Sequence, residues 1–560
     1  MAKDNLPLRN LIKAISLAVA IGSFIALIEM PVNLSDWTIG ANPSSIQSLS
    51  AVPYFPFLIL YSVFVGSIIV AGFAFRSKNA RVFLLCLAST IIVSFWFLQS
   101  PWGIYEGPAK LVNTILLQTS NMHQALPYSN YLGYPSLFLL GAMFSNVTSF
   151  GGPLSAIPIM MISLFVLVVL GFLVANRLLK NGFYAFLAVL LFMEGTVQLS
   201  EFSYHPDYYA IFFLPLFAVI FLLEGSFKRE ILATILGLAI IITDFSASFV
   251  VLAFLTVYYL YQRIIHSPDA SAALKQVWIF AGIFLFWSIF WAVGTTNTLL
   301  NLFQQHFATG LSHVETVYAS NTTGPLWATW ARLGWIGLLI GIPALVVVFG
   351  IFVKRLRPPA MIALLIIAPI LVGIMSVIGQ GGINFFITLI YAPFGGALLL
   401  CYFLRRRKLA TICLVVLALV LLTPSFFSSS SEIVDYTSPH QYYQSAEYFV
   451  THSTSSSTII ANDYAIQYYA TQYHSPFVNV LYPPDISVQS SAQIISDYQY
   501  YIQQFSGYPG TYCLITGGWS NGYYHILGVA GGSLVQNYTQ QELNNGDTIY
   551  ADGYATLYVS

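Results

Sequence analysis

Two ionised residues, Glu106 and Arg332, are the strongest candidates for chemistry, because each follows or begins a long apolar segment. The Glu106 carboxylate could accept a proton from a reacting hydroxyl, or it could be a solvated loop carboxylate. The planar guanidinium of Arg332 matches phosphate oxygens, although an arginine at a span end can also simply extend into water. Lys110, four residues after Glu106, could be a second phosphate contact, but the spacing favours an ion pair with Glu106.

A second acidic pair offers an alternative to Glu106. Glu29 lies near the end of the first apolar segment, and Asp36 follows it two turns later. Acidic residues within membranes are usually functional or paired. Asp36 and Glu29 are therefore the alternative catalytic acids.

A third group combines histidine with carboxylates. His205 and Asp207 share a loop with Glu194 and Glu201, a set of ligands that could hold a divalent metal such as Mg²⁺ or Mn²⁺. The same residues could instead form a hydrogen-bonded cap on a helical bundle. Both interpretations stay open, and no metal ligand is assigned from the sequence.

The distribution of cations indicates how the chain is threaded through a membrane. The sequence is 57% hydrophobic and 8% charged, with a mean hydropathy of +0.74, which is typical of a bilayer-embedded protein. Of its 21 Lys and Arg residues, all but Lys110 and Arg332 fall into seven clusters separated by pairs of apolar stretches. Cytoplasmic loops retain cations, so these clusters are predicted to be cytoplasmic. They are Lys3/Arg9/Lys13, Arg76/Lys78/Arg81, Arg177/Lys180, Lys228/Arg229, Arg263/Lys275, Lys354/Arg355/Arg357 and Arg405 to Lys408.

This threading predicts an α-helical polytopic membrane protein with about 13 transmembrane helices, a cytoplasmic N-terminus and an extracellular C-terminal domain. If residues 231–261 form one re-entrant hairpin, the number of transmembrane helices is about 11. The predicted spans are 11–30, 52–74, 82–98, 154–176, 182–193, 208–223, 231–243, 246–261, 277–294, 334–353, 360–377, 384–403 and 409–424. All four glycosylation sequons fall on the outer side, at Asn33, Asn146, Asn321 and Asn537.

Two outer loops are long: 99–153 carries Glu106 and Lys110, and 295–333 carries Arg332. The first contains an apolar stretch, 134–144, that is too short to span a bilayer and is predicted to lie on the outer surface as an interfacial helix.

The composition changes near residue 426, which divides a transmembrane domain, 1–425, from a soluble α/β domain, 426–560. The second part contains no Lys or Arg. Helical segments are predicted at 440–453, 464–473 and 491–505, and strands at 458–461, 477–481 and 511–515. Residues 547–559 are predicted to form a closing hairpin that turns at Asp552-Gly553.

Four parts of the sequence resemble the GT-C superfamily of membrane glycosyltransferases, and the likeness covers most of the chain. The first runs from Trp102-Gly-Ile-Tyr-Glu106 to Tyr134-Pro135-Ser136, similar to that family's first outer loop with its acidic residue and "YP" interfacial helix. The second runs from Glu201-Phe-Ser-Tyr-His-Pro-Asp207 to the Thr243-Asp244 turn. The third and fourth are Ser445–Asp463 and the closing Ile549-Tyr…Leu557-Tyr pattern.

The resemblance implies transfer of a sugar from a polyprenyl-phosphate carrier to a glycan, lipid or protein acceptor on the outer face of the membrane, and an archaeal member is expected. It implies that Glu106 is the catalytic base and that Arg332 and Lys110 bind the donor phosphate. Residues lining the acceptor site would be Tyr105, Glu201, His205 and Asp207.

One departure from the family pattern supports an alternative function. Family members often carry a paired acidic motif in the first outer loop, whereas this loop contains only Glu106. The alternative is a non-catalytic membrane scaffold whose outer domain docks cell-envelope or surface-layer proteins. Nucleic-acid binding is disfavoured because the sequence has no basic tract, and a disulfide framework because it has only four Cys, widely spaced.

The threading predicts that the two termini lie on opposite faces of the membrane. Epitope tags at the N-terminus and at residue 560 should show a protected N-terminus and a protease-accessible tail in intact cells. A protected tail would show that the threading is wrong.

Overall fold

The computed structural model describes helical residues 133–148, 153–199, 227–293, 296–297, 333–380 and 391–405, the single positions 411, 413, 414 and 448, and five strands of the tail. The described helices overlap the predicted spans 154–176, 182–193, 231–243, 246–261, 277–294, 334–353, 360–377 and 384–403, and the predicted interfacial helix 134–144. The predicted spans 11–30, 52–74, 82–98 and 208–223 lie outside the described residues, so the number of spans stays a prediction.

Nine α-helices are described, and two of them adjoin a π-helical turn. They are α1 Ser136–Thr148, α2 Pro153–Leu179, α3 Gly182–Leu199, α4 Phe227–Ile241, α5 Phe245–Ile264, α6 Ala270–Phe286, α7 Ile342–Phe352, α8 Ala360–Gln380 and α9 Ala392–Leu404. The first π-helical turn, Trp287–Trp291, continues α6, and the second, Gly337–Gly341, precedes α7.

Three segments within the described residues are long and apolar enough to cross a membrane: Ala247–Ile264, Ala270–Trp291 and Leu333–Gly350. Lipid offers no hydrogen bonds to the backbone, so a crossing segment must satisfy its own N–H and C=O groups, as a helix does. The second segment leaves large apolar side chains uncovered, and Trp278 and Phe290 are 70% and 71% exposed. Such a face suits contact with lipid.

Helices α4 and α5 form a hairpin whose two ends meet opposite ends of α6. At the open end, Lys275 Nζ lies 3.6 Å from Glu230 Oε2. Near the tip, the rings of Phe245 and Phe284 are 5.6 Å apart. The tip therefore lies level with the last turns of α6, and the choice between two crossing helices and one re-entrant hairpin at 231–261 stays a prediction.

Helix α9 lies at the centre of the described bundle and packs on α3 and α8. Two adjacent glycines make this close packing possible. A Cβ on Gly395 would lie 2.8 Å from the Leu365 carbonyl oxygen of α8, and a Cβ on Gly396 would overlap the Leu339 carbonyl oxygen of the second π-helical turn. Small residues allow helix backbones to approach in this way within membranes.

Polar contacts join the helix ends that carry the predicted cytoplasmic cations. The Arg405 side chain donates to the Leu179 carbonyl oxygen at 3.2 Å, and its guanidinium lies 4.3 Å from the centre of the Tyr402 ring. The buried Tyr184 hydroxyl lies 3.0 Å from Thr411 Oγ1. These contacts fix the ends of α2, α3 and α9 together on one side of the bundle.

The five strands of the tail form one mixed sheet of order β2-β1-β3-β5-β4. They are β1 Thr458–Ala461, β2 Asn479–Leu481, β3 Thr511–Thr516, β4 Asp547–Ala551 and β5 Ala555–Val559, which are the segments at which the sequence predicts strands. Strand β1 is parallel to β2 and β3, whereas β5 is antiparallel to β3 and β4.

Parallel neighbours need crossover connections, and these are usually helical. The connections here are 462–478 and 482–510, which contain the predicted helices 464–473 and 491–505. Those helices and the predicted Asp552-Gly553 turn lie outside the described residues, so the α/β character and the boundaries of the tail domain stay predictions.

Replacing Gly396 by alanine should destabilise the bundle by about 1–3 kcal/mol, because the added methyl group overlaps the backbone of Leu339. The measurement is the Tm of the purified protein in detergent. Gly282→Ala is the matched control, since a Cβ there has no neighbour within 4 Å, and its Tm should not fall. Equal Tm values for the two variants would contradict the packing at Gly396.

Candidate functional site

Almost all of the residues that the sequence predicts for the site lie outside the described residues. These are Glu106, Asp36, Glu29, Arg332, Lys110, Tyr105, Glu201, His205 and Asp207, together with the sequons at Asn33, Asn321 and Asn537. Their roles stay predictions. Among the residues that the structure does describe, no group of three His, Cys, Asp or Glu side chains could hold a metal ion.

Asn146 is the one predicted site residue that is described. It lies near the end of α1 with an exposed side chain, between Met143 and Val147, which are 65% and 85% exposed. The sequon therefore lies within an exposed, largely apolar face of a helix, and its glycosylation stays a prediction.

Residues 133–136 of the first outer loop are held by two hydrogen bonds to the tip of the α4–α5 hairpin and by one from the π-helical turn that follows α6. Ser136 N donates to the Ile242 carbonyl oxygen at 3.2 Å, and Ser136 Oγ lies 2.7 Å from Thr243 Oγ1. Trp287 Nε1 donates to the Gly133 carbonyl oxygen at 2.9 Å. We call residues 133–136 with these partners the loop anchor. It joins segments that are more than 100 residues apart in the chain.

The hairpin tip that receives the loop is formed by its own polar residues. Asp244 caps α5 with extended backbone angles (φ −156°, ψ 139°), and its carboxylate accepts a hydrogen bond from Ala247 N. An aspartate at this position satisfies a free amide and interacts favourably with the helix dipole. Thr243 Oγ1 also lies 2.6 Å from the Ala239 carbonyl oxygen, and Ser248 Oγ donates to the Asp244 carbonyl oxygen at 2.7 Å. The tip is thus held by hydrogen bonds of its own, in addition to those that it makes with the loop.

Buried hydroxyl groups gather beside the loop anchor. Tyr134 and Ser288 are 3% and 5% exposed, and neither side-chain oxygen has a hydrogen-bond partner among the described residues. Ser288 and Thr296 face the Tyr134 hydroxyl, but not at the distance and angle of a hydrogen bond. A buried hydroxyl without a partner costs about 1–3 kcal/mol. Two of them at one place therefore leave hydrogen-bonding capacity that an added polar group could use.

Burial raises the pKa of Tyr134 well above its usual range, and the nearby Asp244 carboxylate raises this pKa further. The tyrosine consequently keeps its proton at all physiological pH values and can act as a hydrogen-bond donor. Because the adjacent carboxylate repels negative charge, the hydroxyl pair suits a neutral polar group better than an anion.

Aromatic rings form one wall of this region. The ring of Phe245 lies 5.9 Å from that of Tyr134 and 4.8 Å from that of Phe249, both in edge-to-face geometry. Phe284 completes the cluster at 5.2 Å from Phe249. A few polar groups against an apolar, aromatic wall are typical of ligand sites. We call Tyr134, Ser288, Thr296 and Asp244 with this wall the hydroxyl cluster.

The second outer loop is bordered by π-helical turns on both sides. Trp287–Trp291 comes shortly before residue 295, and Gly337–Gly341 begins five residues after Arg332. Thr296 Oγ1 donates to the Ser288 carbonyl oxygen at 3.0 Å beside the first turn. Such turns occur frequently at functional sites. The sequence analysis identified neither turn, nor Ser288, Thr296 and Trp287, because no local pattern marks them.

Comparison with known proteins shows the kind of fold. No family profile and no curated protein matches the sequence. Among solved structures, the chain is similar to ArnT from Cupriavidus metallidurans bound to undecaprenyl phosphate, with 10% identity and a TM-score of 0.51. The match covers 85% of this chain and 97% of that chain. At this identity the likeness concerns the fold alone, so membership of the GT-C superfamily and an archaeal origin stay predictions.

The loop anchor predicts that Trp287→Phe loosens the first outer loop. The substitution removes the hydrogen bond to the Gly133 carbonyl and should lower stability by about 1–3 kcal/mol. Limited proteolysis of the protein in detergent should show faster cleavage within 99–153. Trp278→Phe is the control, because that side chain is 70% exposed and should leave the cleavage rate unchanged. Equal cleavage of both variants and the native protein would contradict the anchor.

Proposed function

We propose that this protein transfers a sugar from a polyprenyl-phosphate donor to a glycan, lipid or protein acceptor on the outer face of the cell membrane. The observation that carries the proposal is the ArnT-like fold over 85% of the chain, since the ArnT structure contains undecaprenyl phosphate. The membrane character of the described helices agrees with a substrate that is anchored in lipid.

The loop anchor supports the proposal geometrically. Gly133 belongs to the loop that carries Glu106, and Trp287 lies shortly before the loop that carries Arg332. Their hydrogen bond brings the end of one loop to the beginning of the other. A base from the first loop and a phosphate ligand from the second would then belong to one site at the outer ends of the helices.

The proposed reaction assigns a separate task to each residue. Glu106 accepts the proton of the acceptor hydroxyl, whose oxygen attacks the anomeric carbon of the donor sugar. The bond between that carbon and the phosphate oxygen breaks, and polyprenyl phosphate leaves with the bonding electron pair. Arg332, with Lys110, binds the phosphate of the donor. Asp36 and Glu29 are the alternative acids.

Further residues complete the proposed site. Tyr105, Glu201, His205 and Asp207 are assigned to its acceptor side. A divalent ion such as Mg²⁺ or Mn²⁺ at His205 and Asp207 stays a prediction from the residue types.

The proposed orientation places the N-terminus in the cytoplasm and domain 426–560 outside the cell. The alternative function is a non-catalytic scaffold whose outer domain docks cell-envelope proteins. The observation that favours it is the single acidic residue, Glu106, in the first outer loop. Transfer activity of the purified protein distinguishes the two functions.

Glu106→Gln should lower turnover by roughly 10²–10⁴-fold, because the amide keeps the shape of the side chain but cannot accept the proton. The measurement is glycan transfer in membranes that carry each variant. Glu230→Gln is the matched control, since Glu230 pairs with Lys275 at the open end of the α4–α5 hairpin and has no part in the proposed reaction. Full activity of Glu106→Gln would move the catalytic assignment to Asp36.

Arg332→Ala should mainly weaken donor binding, by about 1.5–3 kcal/mol for a lost charged hydrogen bond. The KM for the donor should therefore rise while kcat changes little. Arg355→Ala, at an exposed position in a predicted cytoplasmic cluster, is the control. If the native protein transfers no sugar from any lipid-linked donor, the scaffold function is favoured.

A further inference from the structure

We propose that the hydroxyl cluster is a subsite for a neutral, hydroxyl-bearing ligand, namely the sugar of the lipid-linked donor or of the acceptor. The proposal rests on the proposed function and adds to it Tyr134, which lies in the loop that carries Glu106, and Ser288, which lies shortly before the loop that carries Arg332. It assigns sugar recognition to Tyr134 and Ser288.

Two buried hydroxyl groups have unused hydrogen-bonding capacity. Tyr134 and Ser288 are both more than nine-tenths buried, and within the described part of the chain their side-chain oxygens accept and donate no hydrogen bond. Thr296 lies beside them and uses its own hydroxyl on the Ser288 carbonyl. The two unpaired hydroxyls can therefore each donate to, and accept from, a ligand hydroxyl.

The negative charge of Asp244 limits which ligand the cluster can bind. The Asp244 carboxylate lies near the Tyr134 hydroxyl and is itself 5% exposed. A phosphate or carboxylate placed beside this acid would be repelled, because buried like charges interact strongly. A neutral hydroxyl avoids that repulsion, so the cluster suits the sugar and not the phosphate of a lipid-linked donor.

The apolar wall of the cluster suits the C–H faces of a sugar. The rings of Phe245, Phe249 and Phe284 pack edge to face beside Tyr134. A sugar carries hydroxyls at its rim and C–H groups on its faces, so it needs both kinds of surface. A hydroxyl pair next to a phenylalanine cluster offers them together.

The position of the cluster agrees with this ligand. Tyr134 and the Gly133 carbonyl that accepts from Trp287 are adjacent in the loop anchor. The cluster therefore lies where the first outer loop contacts the π-helical turn before the second, and these are the two loops to which the proposed reaction is assigned.

The test compares carriers with and without a sugar. The full-length protein in lipid nanodiscs is titrated with undecaprenyl phosphate and dolichyl phosphate, each bare or linked to glucose, galactose or mannose. The ratio of the two Kd values, bare over sugar-linked, measures sugar recognition. Tyr134→Phe should lower this ratio by about tenfold and leave the Kd of the bare carrier unchanged.

Two further variants keep the test decisive. Ser288→Ala should lower the same ratio, and the double variant should lose less than the product of the single losses, because both hydroxyls contact one ligand. Tyr184→Phe is the matched control, since it removes a buried tyrosine hydroxyl that bonds Thr411 elsewhere in the bundle, and its ratio should equal that of the native protein.

The outcomes separate this subsite from the proposed function. If sugar-linked carriers bind more tightly to the native protein, and Tyr134→Phe and Ser288→Ala keep both that preference and the native affinity for a free acceptor glycan, the subsite is wrong, whereas the proposed function stands. If a free acceptor glycan, and not the donor, loses affinity in these variants, the sugar bound is that of the acceptor, which supports the subsite. If the native protein binds no carrier at all, the proposed function fails and the subsite fails with it.

Discussion

The hydrocarbon core of a bilayer offers no hydrogen bonds to protein, and this constraint agrees with where polar groups lie in the described bundle. Helices satisfy their own backbones, and side chains such as Trp278 and Phe290 face outward because lipid covers them. Polar side chains collect at the two ends of the helices instead. One end carries the Glu230–Lys275 pair, and the other carries the hairpin tip with Asp244.

The two ends of the bundle carry different polar groups. The end with Lys275 and Arg405 contains exposed or half-exposed cations, which suit a cytoplasmic surface. At the opposite end, polar groups are buried and neutral or acidic, and they anchor a long loop. Burying the unpaired hydroxyls of Tyr134 and Ser288 costs stability, and this cost is the basis on which the hydroxyl cluster is proposed as a ligand subsite.

Local patterns in the sequence predict the elements well where hydrophobicity and turn chemistry determine them. Strand β3 lies at the predicted segment 511–515, and the Thr243-Asp244 turn separates two helices as expected. The tertiary contacts could not be predicted, because they depend on packing between distant segments. Nothing near Trp287 indicates a bond to Gly133, and nothing near Gly396 indicates that Leu339 lies against it. The π-helical turns likewise depend on their surroundings and have no sequence pattern of their own.

The proposed function requires that a polyprenyl phosphate contact this protein at its outer loops. Photo-crosslinking of the full-length protein in native membranes with a diazirine-bearing polyprenyl phosphate, followed by peptide mass spectrometry, would locate that contact. We predict crosslinks within the outer loops 99–153 and 295–333, and on the π-helical turns Trp287–Trp291 and Gly337–Gly341 that border the second loop. Crosslinks confined to the end of the bundle that carries Lys275 and Arg405, or no crosslinks above those of a bare diazirine lipid, would contradict it.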